Sequence, residues 1–331
     1  MNTRDVLFGI LCGWLGAEGR DEALLGTNMG DVWRAFAHMA PERDCVHAYF
    51  EIPLIGKPNC DVHCSVNSYE GLGSLPADAD ASWAKLYSWY AGLDSAEMRD
   101  HMTVGATVDM QSYPDVQPGL YLVQRDKAEA VVPFLELLGE QRLVPAWKTF
   151  QKHLPLGWET TYTGLFPGRA NGLLRVNAHP ARENAMEFAD ALTSLDIPLG
   201  AEELDLCRTL AEGPTGFDLQ LDVDESGKPA GDFSLETYLE GAPVSGSYQK
   251  TDYAKRVFSL MEACGAADDR WKHLDGIDVS KRIALPGLPG NTSCGISLRI
   301  YSAKLRFVKG SPILAKAYLR GDAKASTDQR C

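Results

Sequence analysis

The sequence predicts an α+β fold: ten antiparallel strands closed into a β-barrel with a polar lumen, surrounded by helices in five αββα units. Three observations predict it. Segments of period-two alternation occur in pairs, five times along the chain. Amphipathic helical segments separate one pair from the next. The non-apolar face of these strands carries His, Tyr, Glu, Arg, Asn, Asp and Lys in one hairpin after another. Packing helices on the apolar strand faces is the simplest way to bury both. Ten strands closed on themselves then enclose a lumen wide enough for a ligand and leave no unpaired edge.

The apolar stretch 6–15 reads as a packed helix, because Arg4 is cancelled by Asp5, a poor flank for a signal peptide. A helix over 33–39 leads into the first pair, 45–52 and 61–69. Val46, Ala48, Phe50 and Ile52 share one face of its first strand; His47, Tyr49 and Glu51 share the other. The GKPN between the strands is turn chemistry. A helix over 83–91 follows. The second pair is 103–110 and 119–124, followed by a helix over 127–138 with Val131, Phe134, Leu135 and Leu138 on one stripe. The third pair is 159–166 and 173–179, turning at Pro167, Gly168, Asn171 and Gly172. Arg175, Asn177 and His179 alternate there with Leu174, Val176 and Ala178. A helix over 183–195 follows. The fourth pair is 217–223 and 233–240, followed by a helix over 252–264. The fifth is 296–308 and 313–320, joined by KGSP, with a slip of phase near Ser302 that reads as a bulge. Residues 1–322 read as a single domain and 323–331 as a flexible polar tail.

Composition narrows the function. The chain of 331 residues is 45% hydrophobic, 23% charged and 9% aromatic, which excludes disordered, collagen-like and coiled-coil classes. A net charge of −13 offers no footprint for nucleic acid or an anionic membrane. A small anion needs locally gathered cations. No apolar run approaches the ~20 residues that span a bilayer. Eight scattered cysteines read as buried free thiols of a cytoplasmic protein. Cys60 and Cys64 flank His63, but no second Cys/His pair at finger spacing follows, so no metal site is expected. His47 and His63 are placed to face each other across the first hairpin. There is no GxGxxG after a strand, no Walker loop, no HExxH and no GxSxG. The Gly-rich GLFPGRANGLLR with Arg169 reads as a hairpin turn.

Two short strand segments carry a resemblance. Lys316-Ala-Tyr318, within AKAYL, resembles the Lys-x-Tyr strand signature of the dimethylallyltryptophan synthase branch of the ABBA, or prenyltransferase-barrel, family. Arg299-Ile-Tyr301 is similar to that family's Arg/Lys-x-Tyr element. The architecture of five αββα units is also that family's, and the likeness runs from Trp33 to Arg320. The resemblance implies transfer of a prenyl group, dimethylallyl above all, from its diphosphate to an aromatic small molecule or a peptide side chain, in secondary metabolism or peptide modification. It implies that strand cations hold the diphosphate, that tyrosines shield the allylic cation, and that an early-strand Glu acts on the acceptor.

On that footing Lys316 and Arg299 are the matched diphosphate ligands, and Tyr318 and Tyr301 the matched shield residues. Alternation adds Arg175 as a diphosphate ligand and Tyr49, Tyr162 and Tyr238 as shield residues. Glu51 is the candidate base and Glu236 the alternative. The chemistry suits these types: cations stabilise a leaving diphosphate, Tyr faces stabilise a carbocation and exclude water, and a carboxylate takes a proton. The absence of DDxxD points away from an obligatory metal, with Mg²⁺ as an assistant at most. Asp218, Asp222 and Glu236 share the supposed lumen face, where they would repel diphosphate, bind a cationic acceptor or peptide, or hold Mg²⁺. A monomer or homodimer is expected.

Two other classes compete. A non-catalytic barrel would bind a peptide or small ligand without releasing diphosphate. A pentein-type hydrolase would recruit Cys294 as nucleophile with His179 and Asp218.

Overall fold

Alternation along each strand sends apolar side chains outward to the helices and polar ones inward, and the strand register shows where the sheet closes. The computed structural model describes residues 3–17, 20–26, 29–67, 72–93, 101–115, 117–124, 126–167, 173–182, 185–212, 216–239, 252–275, 277–284 and 292–327. The strands are β1 (Cys45–Pro53), β2 (Asp61–Val66), β3 (Met102–Val108), β4 (Gly119–Gln124), β5 (Trp158–Leu165), β6 (Leu174–Pro180), β7 (Phe217–Val223), β8 (Pro229–Tyr238), β9 (Val279–Ala284), β10 (Thr292–Val308) and β11 (Ser311–Thr327). Each pairs antiparallel with its neighbours in the order β1 to β8, then β10, then β11, and β11 returns to β1. Ten strands therefore form the closed barrel. β9 lies outside it, paired to the first half of β10, while β8 takes the second half.

The helices are α1 (Thr3–Leu15), α2 (Met29–Met39), α3 (Ala81–Ala91), α4 (Val131–Leu137), α5 (Val144–His153), α6 (Phe188–Ser194), α7 (Ala201–Ala211) and α8 (Asp252–Ala263). They cover the outside of the barrel, and the core is the ring between them and the strands. On β1, Val46, Ala48, Phe50 and Ile52 all point into that ring and are buried. α1 seals the closing seam. Its Leu7, Phe8, Leu11 and Leu15 are buried, and Phe8 stacks between Phe36 of α2 and Phe50 of β1. Gly321 of β11 permits this approach, because a Cβ there would stand 3.2 Å from Leu11. Asp80 caps α3 by accepting from the Ser82 and Trp83 amides. No helix among the described residues is long and apolar enough to cross a membrane.

The expected hairpins are present, with β4 and the β7 strand at the expected bounds. The fifth hairpin turns through Lys309 and Gly310, both at positive φ, which is the pairing of a two-residue turn matched to strand twist. The expected bulge lies between Ile300 and Ser302. Several expectations are corrected. β11 does not fray after Asp322: it continues to Thr327, because Cys45 and the first half of β10 still pair with it. α5, α7 and β9 were not expected. α6 begins only at Phe188, and the one-turn helix 128–130 precedes α4. Tyr69, the turn residues Gly168, Arg169, Asn171 and Gly172, Glu183 and Glu240 lie outside the described residues.

Candidate active site

The inward faces enclose a cavity of about 1000 Å³ that runs the length of the strands, from Asp61 and Asp109 to Glu159 and His179. Four residues stand in register on adjacent strands: Lys304, Glu236 and Asp218 line the cavity, and Lys316 reaches Glu51 of its wall. Lys316 of β11 stands opposite Lys304 of β10, Lys304 opposite Glu236 of β8, and Glu236 opposite Asp218 of β7. The row is two cations followed by two carboxylates on four adjacent strands.

Glu51 is the counter-ion of the cationic half. It makes an ion pair with Lys316 and accepts from Tyr318 Oη at 2.5 Å. Its Oε2 lies 4.0 Å from Lys304 Nζ and 3.3 Å from His63 Nε2. Burial opposes ionisation, yet Lys304, Lys316 and His63 together hold the Glu51 carboxyl well below the usual range. Lys304 hydrogen-bonds Tyr318 and reaches Gln220 Oε1 at 3.5 Å. Burial lowers its ammonium to about 8, against the pull of Glu51 and Glu236. Glu236 accepts from Ser302 Oγ at 2.6 Å. Burial raises its carboxyl to about 7, although Lys304 and Ser302 favour the anion. A carboxylate near 7 is matched to accepting a proton at neutral pH; one far below is not.

At the end of the row Asp218 is a buried acceptor for Tyr238 Oη (2.8 Å), Asn177 Nδ2 (3.2 Å), Thr161 Oγ1 (3.3 Å) and His179 Nδ1 (3.3 Å). The Asp218 hydrogen bond raises the His179 imidazole, with burial opposing.

Tyrosines line much of the remaining wall, among threonines, histidines and other polar groups. Tyr49, Tyr301 and Tyr238 form an arc of edge-on rings with centroids 5.3 and 5.4 Å apart. Across the lumen Tyr162 stacks on Tyr121 at 5.3 Å. Tyr121 lies flat over Gly105, its register partner on β3, and hydrogen-bonds Ser65 of β2 at 2.6 Å. A Cβ on Gly105 would come within 2.1 Å of the Tyr121 ring, so the glycine lets the phenol fold down against the wall.

The expected site residues divide into those brought together and those set apart. Glu51, Lys316, Tyr318 and Glu236 sit around the charged row, and Tyr49, Tyr238 and Tyr301 join in one arc. Tyr162 is on the opposite wall. Arg175 lines the cavity but is held by Asp222 through a two-pronged ion pair of 2.9 and 2.8 Å. Burial opposes the Arg175 charge, and Asp222 outweighs it, raising the guanidinium. Arg299 stands opposite Arg320 and bonds Asp322 at 3.4 Å. Lys304 was missed, because the bulge before Ser302 exchanges the faces of β10; following the phase slip two residues further places Lys304 inward.

Two alternatives are corrected. His47 and His63 do not face each other: His63 is opposite Tyr49, and His47 is opposite Asp322. Cys294 lies on the β9–β10 extension, hydrogen-bonded to the Gly295 carbonyl and away from the cavity wall that holds His179 and Asp218, so the hydrolase triad does not assemble. Among the described residues no group of three His, Cys, Asp or Glu is placed to hold a metal ion.

No protein-family model matches the sequence, and no curated protein matches it by sequence. Solved structures do match. A 6-dimethylallyl tryptophan synthase aligns at TM-score 0.51 and 14% identity, covering 96% of this chain and 94% of that one. A 5-dimethylallyltryptophan synthase from Streptomyces coelicolor aligns at 0.51 and 15%, covering 96% and 97%. The apo form of prenyltransferase PriB aligns at 0.51 and 14%, covering 96% of each chain. At these identities the likeness is one of architecture, and with the closed ten-stranded barrel and its helical coat it establishes that this chain has the ABBA, or prenyltransferase-barrel, fold.

Proposed function

We propose that the protein transfers a prenyl group from its diphosphate to an aromatic acceptor, a small molecule or a peptide side chain. The observation that carries this reading is the charge-separated row inside a tyrosine-lined lumen. Lys304 and Lys316 meet the diphosphate and stabilise the charge that develops as the allylic C–O bond breaks. The faces of Tyr318, Tyr301, Tyr49 and Tyr238 stabilise the allylic cation and keep water from it. Glu236, with a proton affinity near neutrality, accepts a hydrogen bond from the acceptor's N–H or O–H and makes its ring more nucleophilic. Glu51 is a counter-ion that diphosphate displaces from the two lysines, and Arg175 supports the wall through Asp222.

The test is diphosphate release from dimethylallyl diphosphate and its longer homologues, with and without Mg²⁺ and with indole and peptide acceptors. Release that Lys304→Met abolishes supports the reading. A folded protein that releases none with any donor overturns it.

One observation favours a second reading, a binding barrel for a cationic ligand. Among the described residues that line the cavity, seven are Asp or Glu and three are Lys or Arg. Tight binding of a basic peptide with no diphosphate release from any donor would select it.

A further inference from the structure

We propose that Tyr49, with His47 and Asp322 behind it, is a proton relay that removes the ring proton from the prenylated acceptor; this rests on the prenyl-transfer reading above. His47 and Asp322 are register partners on β1 and β11, and His47 Nδ1 hydrogen-bonds Asp322 Oδ1. An ionised carboxylate only accepts, so Nδ1 carries the proton. In the neutral imidazole this leaves the lone pair on Nε2, and Tyr49 Oη lies 3.3 Å from it. The order hydroxyl, imidazole, carboxylate is that of a nucleophile triad, with a phenol in place of the serine. His47 is only 4% exposed, so the imidazolium it becomes depends on the carboxylate beside it. Burial opposes the charge of Asp322, but His47 and Arg320 hold its carboxyl below the ordinary range, and Arg299 bonds it at 3.4 Å.

The reaction needs such a group. Glu236 polarises an N–H or O–H, whereas the C–H proton leaves later and from a different atom. Glu51, even when diphosphate takes the lysines, still accepts from Tyr318 and lies 3.3 Å from His63 Nε2. Tyr49 lines the cavity and contacts Tyr301 in the cation-facing arc. When the ring carbon bonds to the allylic cation, an arenium ion forms. Its C–H bond breaks, the electron pair returns to the ring, and the proton passes to Tyr49 Oη as Tyr49's own proton passes to His47 Nε2. The products are a neutral prenylated arene and an imidazolium beside Asp322, which later loses its proton to water or to the departing diphosphate. Tyr49 is the catalytic residue here; His47 and Asp322 position and charge it.

Two measurements on the full chain test this. Imidazole ¹⁵N spectra should show His47 as the Nδ1–H tautomer, and Asp322→Asn should abolish that preference. An Nε2–H tautomer in the native protein overturns the relay. Turnover of dimethylallyl diphosphate with ring-deuterated indole should show no isotope effect in the native enzyme. Tyr49→Phe and His47→Gln should expose one of about twofold or more, with kcat falling about a hundredfold and donor KM little changed. Tyr49→Phe keeps the shielding ring, so a tyrosine acting only as a shield leaves the isotope effect at unity. Diphosphate release by the native enzyme with no isotope effect in either variant overturns the relay and leaves prenyl transfer standing. No release by the native enzyme from any donor overturns both.

Discussion

Lys304 and Lys316 stand directly opposite one another on β10 and β11, and a single carboxylate, Glu51 on β1, lies against both. Like charges opposed across a strand pair repel, so Glu51 is what makes the pair tolerable. Glu51→Gln is expected to lower the unfolding free energy by roughly 3 kcal/mol, the cost of stranding buried charge. Adding Lys304→Met should recover most of that loss. Urea denaturation of the two variants measures it, and inorganic diphosphate should stabilise Glu51→Gln more than the native chain. A Glu51→Gln protein as stable as the native one would remove Glu51 from this role.

The pH dependence of donor capture follows from Lys304. Its folded value of about 8 lies below the ordinary 10.5. The unfolded chain therefore binds more protons between pH 8 and 10.5, and this group adds stability as pH rises through that window. Donor capture changes in the other direction: kcat/KM for the prenyl diphosphate should fall as pH rises through about 8, while the fold holds. A pH profile of kcat/KM beside a thermal melt series separates the two, and a flat profile up to pH 9 would contradict the assignment.

Glu236 gives the opposite limb. Its folded value of about 7 exceeds the ordinary 4.5. The stability it contributes is complete below 4.5 and is lost as pH rises through 7. Glu236→Gln should raise Tm at pH 8, leave it nearly unchanged at pH 4, and erase the acidic limb of the rate profile. An acidic limb that persists in Glu236→Gln assigns that titration to another group.

Gly105→Ala tests the flattened Tyr121. The new Cβ would meet the Tyr121 ring at 2.1 Å and the Cys64 carbonyl oxygen at 2.6 Å. Overpacking of this kind costs about 1–3 kcal/mol. The displaced phenol should swing into the lumen, so the variant should lose its longer prenyl donors before dimethylallyl diphosphate. Tyr121→Ala in the same chain should restore them. Unchanged donor preference in Gly105→Ala would mean that this wall does not bound the donor.

The hairpins were legible because period two is a local property: Phe217 to Val223 alternates in the sequence as it does in β7. Helix α7 also had a signal, with Leu204, Cys207 and Leu210 three apart, but its stripe is narrow beside Glu202, Glu203 and Asp205. β9 had almost none, because an exposed outer strand needs no alternation.

What the chain determines by itself is therefore the set of two-faced strands and one-striped helices, and with them the polar lining of whatever they enclose. Local sterics and solvent sorting act on residues two, three or four apart, and the sequence records them directly. What only the tertiary structure decided is which polar groups meet. The bulge at Tyr301 sends Lys304 inward, and barrel closure brings β11 against β1, setting Glu51 between two lysines and His47 on Asp322. Cross-strand register also gives Arg175 to Asp222. Each of these pairs joins residues distant in sequence, and register and closure are set by the whole ring of strands.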